Sequence, residues 1–216
     1  MKLIRFSLVA VLMLNVNLAL AKKLPGYILV NSSDTIFGEI RVPAFDTYSG
    51  AIVLFGINLE PMHSICHFRE NGTRRFKLLT PKDIPGFGFD YQSTSYHFKS
   101  FAIETNSVIA SESIRYRFLN LIFRGELAVY RDIVRSVNFA PTGVFDDAFV
   151  DHYDYYLHTD SHGLERAVWT RQYPSLKALL QFYDLDQRFL DQLPSDLRFK
   201  DVKEILLEYE KWKNIN

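Results

Sequence analysis

One cysteine, Cys66, is all the thiol chemistry that 216 residues contain. An intramolecular disulfide is therefore impossible, and stability must come from the core. Net charge is missing as well. Twenty-five basic residues face 25 acidic ones, which leaves no basic footprint for nucleic acid. Past the N-terminal segment no apolar run reaches the ~20 residues that a spanning helix needs. The chain has no Gly-x-Ser-x-Gly elbow, no His-Glu-x-x-His helix, no phosphate-binding glycine loop and no Cys-x-x-Cys pair. No cofactor motif is present, and no internal repeat or low-complexity linker forces a domain cut. These gaps lower the enzyme reading and name no catalytic residue.

What is present begins with an address. Residues 1–21, MKLIRFSLVAVLMLNVNLALA, place Lys2 and Arg5 ahead of an apolar run and end on Ala19-Leu20-Ala21. That is the order of a cleaved secretory signal. Asn15 and Asn17 interrupt the run, which argues against an anchor. Cleavage after Ala21 leaves Lys22–Asn216, with 23 basic residues against 25 acidic ones. An exported, soluble mature chain without a transmembrane span is expected. Aromatic residues make up 15% of the whole sequence, enough large rings to build a core without disulfides.

The mature chain reads as α+β. Tyr27–Val30 and Thr35–Val42 flank the turn residues Asn31–Asp34, a β-hairpin signal. A symmetric turn pairs Val30 with Thr35 and Tyr27 with Gly38. Alternation then puts Tyr27, Leu29, Ile36, Ile40 and Val42 on the core face, with the Tyr27 ring over Gly38. Ala51–Phe55 reads as a short strand. Ser64–Phe68 and Arg75–Leu79 form a second hairpin around Asn71-Gly72. Phe87–Tyr91 and Tyr96–Ser100 form a third, with Phe87, Phe89, Tyr91, Tyr96 and Phe98 on one face. As a sugar platform that face has no polar edge on most of its rings, three of the five being Phe and none Trp, so it is expected to be core.

Ile114, Phe118, Leu121 and Ile122 fall at helical spacing, with Gly125 as a stop, and predict a helix from Ser113. A strand at Leu127–Val134 and a loop at 138–148 follow. Tyr153–His158 and Glu165–Thr170 form a fourth hairpin. Three short helices close the chain, opened by Pro174, by Asp186 and by the stripe Val202, Ile205, Leu206, Tyr209, Trp212. The expected architecture is antiparallel hairpins forming a sheet or partly open barrel, followed by a helix, a further hairpin and a three-helix C-terminal segment. Residues 22–105 make the β-rich part and 106–216 the α+β part, forming together one compact unit.

Two clusters could carry chemistry. Asp146, Asp147, Asp151, His152, Asp154, His158, Asp160 and His162 are the densest titratable set, and imidazole with carboxylate suits a divalent metal. On a strand, His152, Asp154 and His158 share one face, the candidate metal ligands of a metal-dependent hydrolase. The plainer reading is a half-buried strand showing polar residues to water and Tyr153, Tyr155 and Leu157 to the core. His63, Cys66 and His67 form the second cluster, but adjacent strand residues point to opposite faces, which spoils shared coordination. Cys66 reads as a buried, inert thiol.

Gly26-Tyr27-Ile-Leu-Val, Asp34-Thr35-Ile36-x-Gly38-Glu-Ile, Pro81-x-Asp83-Ile84-x-Gly86-Phe87 and Phe118-Leu119-x-x-Leu-x-x-Gly125-x-x-x-x-Tyr130 together resemble a group of secreted, uncharacterised cell-envelope proteins of Bacteroidetes. The resemblance implies the periplasm or outer membrane and transfers no catalytic residue. Asp34-Thr35-Ile36 is similar to the O-glycosylation sequon of such bacteria; Asn31-Ser32-Ser33 and Asn71-Gly72-Thr73 have the form of N-glycosylation acceptors. The expected function is a non-catalytic binding or interaction module whose partner is an envelope protein or small ligand. A structural factor of an outer-membrane assembly is the further alternative.

Overall fold

The computed structural model describes residues 21–31, 34–43, 56–105, 113–137, 149–168, 170–194 and 196–215. The signal segment 1–20, the strand expected at Ala51–Phe55 and the loop at 138–148 lie outside them. The chain is α+β with an antiparallel sheet, divided into two compact units at Phe118/Leu119.

The first unit carries β1 (Lys22–Leu29), β2 (Thr35–Val42), β3 (Cys66–Glu70), β4 (Lys77–Leu79), β5 (Gly86–Tyr91) and β6 (Thr94–Thr105). Hydrogen bonding orders them β6-β5-β1-β2-β3-β4, and a short 3-10 helix spans Glu60–His63. One face buries Ile28, Ile40, Val42, Met62, Cys66, Phe68, Ile84, Phe87, Phe89, Phe98 and Phe118. Phe87 is the hub of that core. Its ring stacks on Phe98 at 4.6 Å and meets the edge of Phe118 at 4.9 Å, within the range where aromatic pairs add to area burial.

The β1–β2 register corrects the sequence expectation by one residue. Leu29 pairs with Thr35, Ile28 with Ile36, Tyr27 with Phe37 and Gly26 with Gly38. The loop is longer than the symmetric turn, running Val30–Asp34. Val30 N donates to Asp34 O at 2.9 Å, and Asp34 N donates to the Asn31 side chain at 2.8 Å. Because strand side chains alternate, a one-residue slip exchanges faces. Ile28 is core, whereas Tyr27 and Leu29 turn outward and remain partly exposed. The Tyr27 ring covers a glycine after all, but it is Gly88 on β5, its partner on the other side. A Cβ there would lie 2.7 Å from the ring and its hydroxyl.

The β5–β6 hairpin is also tighter than the sequence spacing suggested. Tyr91 pairs with Thr94 around Gln92-Ser93, and Gln92 takes a left-handed φ of 54°. This slip is even, so the face survives. Phe87, Phe89 and Phe98 are buried, and Tyr91 and Tyr96 pack against them.

β7 (Ser113–Phe123) passes from one unit to the next. The helix expected from Ser113 is not there; the segment is a strand. Arg117, Phe118, Leu119 and Asn120 are buried in succession. A strand covered on both faces shows a continuous run rather than alternation, and periodicity alone cannot separate it from a buried helix.

In the second unit the order is β10-β9-β8-β7, with β8 Ala128–Val137, β9 Phe149–Thr159 and β10 Gly163–Arg166. Three α-helices cover one face: α1 (Leu176–Phe182), α2 (Gln187–Leu190) and α3 (Val202–Lys213). Ser175 caps α1 and Asp186 caps α2 by accepting backbone N–H bonds. Val129 and Leu157 of the sheet, with Leu127 just ahead of β8, pack with Leu176, Leu179, Leu180, Leu190, Val202, Ile205 and Leu206. Tyr183, just past α1, donates to Leu157 O at 2.9 Å and ties helix to strand. Among the described residues no helix is long and apolar enough to cross a membrane.

Candidate functional site

Only part of the candidate metal cluster lies among the described residues. Asp146 and Asp147, and the side chains of Asp151 and His152, lie outside the described residues. Asp154 and His158 share a face of β9, four residues or ~13 Å apart along the strand. Asp154 is held by Arg166 Nη2 at 2.7 Å. His162 belongs to the β9–β10 turn, where its Nε2 lies 3.3 Å from Asp184 and its ring meets the edges of Phe182 and Tyr183. Among the described residues no group of three or more His, Cys, Asp or Glu is placed to hold a metal ion.

The face carrying Asp154 also departs from the simple wet-side reading. Tyr156 between Asp154 and His158 is buried, as are Tyr130 and Asp132 opposite on β8. Tyr153, expected inside, is 47% exposed.

The second cluster is likewise dispersed. Cys66 is fully buried, and burial pushes its thiol far above the ordinary range. His63 sits in the core with Nδ1 2.7 Å from Phe118 O. His67 turns to the opposite face from Cys66, where burial and then the Arg41 guanidinium lower its pKa.

The site that the first unit does present lies on the outward side of its sheet. A groove of about 560 Å³ is lined by Lys23, Tyr27, Phe37, Glu39, Asn71, Asp90 and His97, together with Pro25, Gly26, Gly38 and Phe89. Ligand sites span roughly 300–1,000 Å³. Strand register explains the arrangement. His97, Gly88, Tyr27 and Phe37 form one row across β6, β5, β1 and β2; beside it Ser95 pairs with Asp90, and Pro25, Glu39 and Arg69 stand in line.

Gly88 is what lets that row close. With no Cβ in the way, the Tyr27 ring lies over its backbone and its hydroxyl reaches His97 Nδ1 at 2.9 Å. Phe37 stands beside this pair, ring centroids 6.3 Å from Tyr27, and is 64% exposed. Around the rings, Glu39 accepts from Arg69, Asp90 accepts from Ser95 at 2.6 Å, and Lys23 and Asn71 are exposed. The groove therefore offers one exposed ring, the Tyr27–His97 pair beside it, and charged and amide side chains around them.

The sequence singled out Tyr27 and Phe89 as core residues, whereas Phe37 and His97 did not stand out. One signal was available: in TIFGEIRV the outward positions are Thr35, Phe37, Glu39 and Arg41, and Phe37 is the apolar residue out of place. Comparison with known proteins finds no matching family, no matching characterised protein and no matching solved structure.

Proposed function

We propose that this chain is an exported, non-catalytic binding module of the cell envelope, and that the outward groove of its first unit is where the ligand sits. The address rests on the N-terminal segment and on the resemblance to secreted envelope proteins. The observation that carries the binding reading is Phe37. A phenylalanine left 64% exposed beside a locked Tyr27–His97 pair has no part in the core, yet it lines the groove on that face. An apolar ring inside a recess that also holds a few polar groups is how ligand sites are built.

The polar groups around the ring orient a ligand instead of transforming it. Glu39 is engaged by Arg69 and Asp90 by Ser95, so both carboxylates serve as fixed acceptors. The test is equilibrium binding of the purified chain to a panel of short oligosaccharides and peptides, with Phe37→Ala alongside. Loss of one stacking ring weakens binding about tenfold while leaving the unfolding transition in place. A variant that binds everything as the parent does overturns the reading. Export is checked by fractionation: a chain lacking residues 1–21 stays in the cytoplasm, and equal partitioning of both forms refutes the address.

A further inference from the structure

A second feature of the same face bears on what the ligand is. Lys23 on β1, Arg41 on β2 and His67 on β3 are successive Cα partners in one row. Directly opposed residues on one face have Cβ atoms ~4.5–5.5 Å apart, and like charges so placed destabilise a sheet. A face arranged for stability alone would carry an acid there. Glu39, the acid of the adjacent row, is already engaged by Arg69. The guanidiniums of Arg41 and Arg69 both lie against Phe76, at 4.1 and 4.9 Å from its ring centroid, which fixes their planes. Arg41 Nε is buried and has no hydrogen-bond partner among the described residues. Lys23 belongs both to this row and to the groove lining, so the Lys23–Arg41 pair of cations is continuous with the groove.

The geometry of the sheet also limits the ligand's backbone. β1 is paired on both sides, with β2 and with β5. An extended peptide lying on this face finds no free main-chain ladder to join, which is what strand addition requires. A sugar ring needs none. Its C–H face stacks on an aromatic ring while its hydroxyls take the donors and acceptors around it, here Tyr27, His97, Asn71 and Asp90.

We propose that the groove takes an acidic oligosaccharide, one pyranose ring stacked on Phe37 and a carboxylate or sulfate placed against Lys23 and Arg41. This inference rests on the groove being the binding site. Tyr27 and Lys23 are four residues apart on β1, ~13 Å along the strand, so the ligand is longer than a single sugar.

The test is calorimetric titration of the full chain with a uronic acid trisaccharide, the same trisaccharide with its carboxyls reduced to alcohols, a sulfated trisaccharide and an acidic hexapeptide. The expected result is at least tenfold tighter binding of the uronate than of its reduced form, lost in Lys23→Gln and weakened by salt. Lys23 is exposed, so this variant leaves the fold intact where Arg41→Gln puts it at risk. The sulfated arm tells whether the row selects carboxylate or any oxyanion. Equal binding of uronate and reduced sugar overturns the acidic inference and leaves the groove reading standing. Binding of the peptide alone overturns the sugar. Binding of any probe that ignores Phe37→Ala overturns the groove reading itself.

Discussion

Ile28→Ala and Leu29→Ala remove the same number of carbon atoms from neighbouring residues, and the structure assigns them very different costs. Ile28 is 7% exposed, inside the core, between its partners Ile36 and Phe87. Truncating a buried isoleucine costs about 2–5 kcal/mol through lost burial and the cavity left behind, and a site between two packed neighbours sits near ~3 kcal/mol. Leu29 faces outward and is only partly covered, so its truncation costs about 1 kcal/mol. Both tryptophans, Trp169 and Trp212, lie in the second unit, so tryptophan fluorescence does not report this region. Hydrogen exchange of the β1 and β2 amides does. A gap of ~2 kcal/mol appears as a roughly thirtyfold greater loss of protection in Ile28→Ala. The shifted pairing, with Leu29 inside, predicts the opposite ranking. If Leu29→Ala loses as much protection as Ile28→Ala or more, the register and the outward groove built on it both fall.

Three further outcomes follow from single contacts. Cys66 is fully buried with its thiol held protonated, so a thiol reagent at pH 8 labels the native chain only after denaturant is added; rapid native labelling contradicts the core assignment. Tyr183→Phe removes the hydroxyl's bond to the Leu157 carbonyl and costs about 1 kcal/mol, read as an earlier urea midpoint by Trp212 fluorescence in the second unit; an unchanged midpoint refutes the role given to that bond. The pKa of His67 is lowered by burial and then by Arg41, so the unfolded chain takes up a proton first as pH falls. Its contribution to stability is complete above the ordinary histidine range and declines as pH drops through that range toward the folded pKa. Facing it are Arg41 on β2 and the apolar Leu78 on β4. His67→Gln removes this part of the acid sensitivity, and an unaltered pH profile of unfolding counts against it.

The aromatic core was legible because it tolerates error in register. Phe87, Phe89 and Phe98 stay on one face whether the β5–β6 turn holds four residues or two, since an even slip keeps the face. The N-terminal hairpin had no such protection. Asn31 closes the loop one residue longer than symmetry suggests, and that odd slip moves Tyr27 out of the core and into the groove row. β7 was read as helical because burial on both faces erases the alternation that marks a strand.

The sequence by itself determined the α+β class, the apolar stripes of the C-terminal helices and the start of the second of them at Asp186. Each depends on residues close in the chain, or on one residue's own chemistry. Only the tertiary structure decided that His97, Tyr27 and Phe37 stand in one row, and that Lys23, Arg41 and His67 stand in another. Those neighbours come from separate strands, brought together by pairing across the sheet. Their alignment rests on hydrogen-bond register, which a change of one residue in a loop reverses.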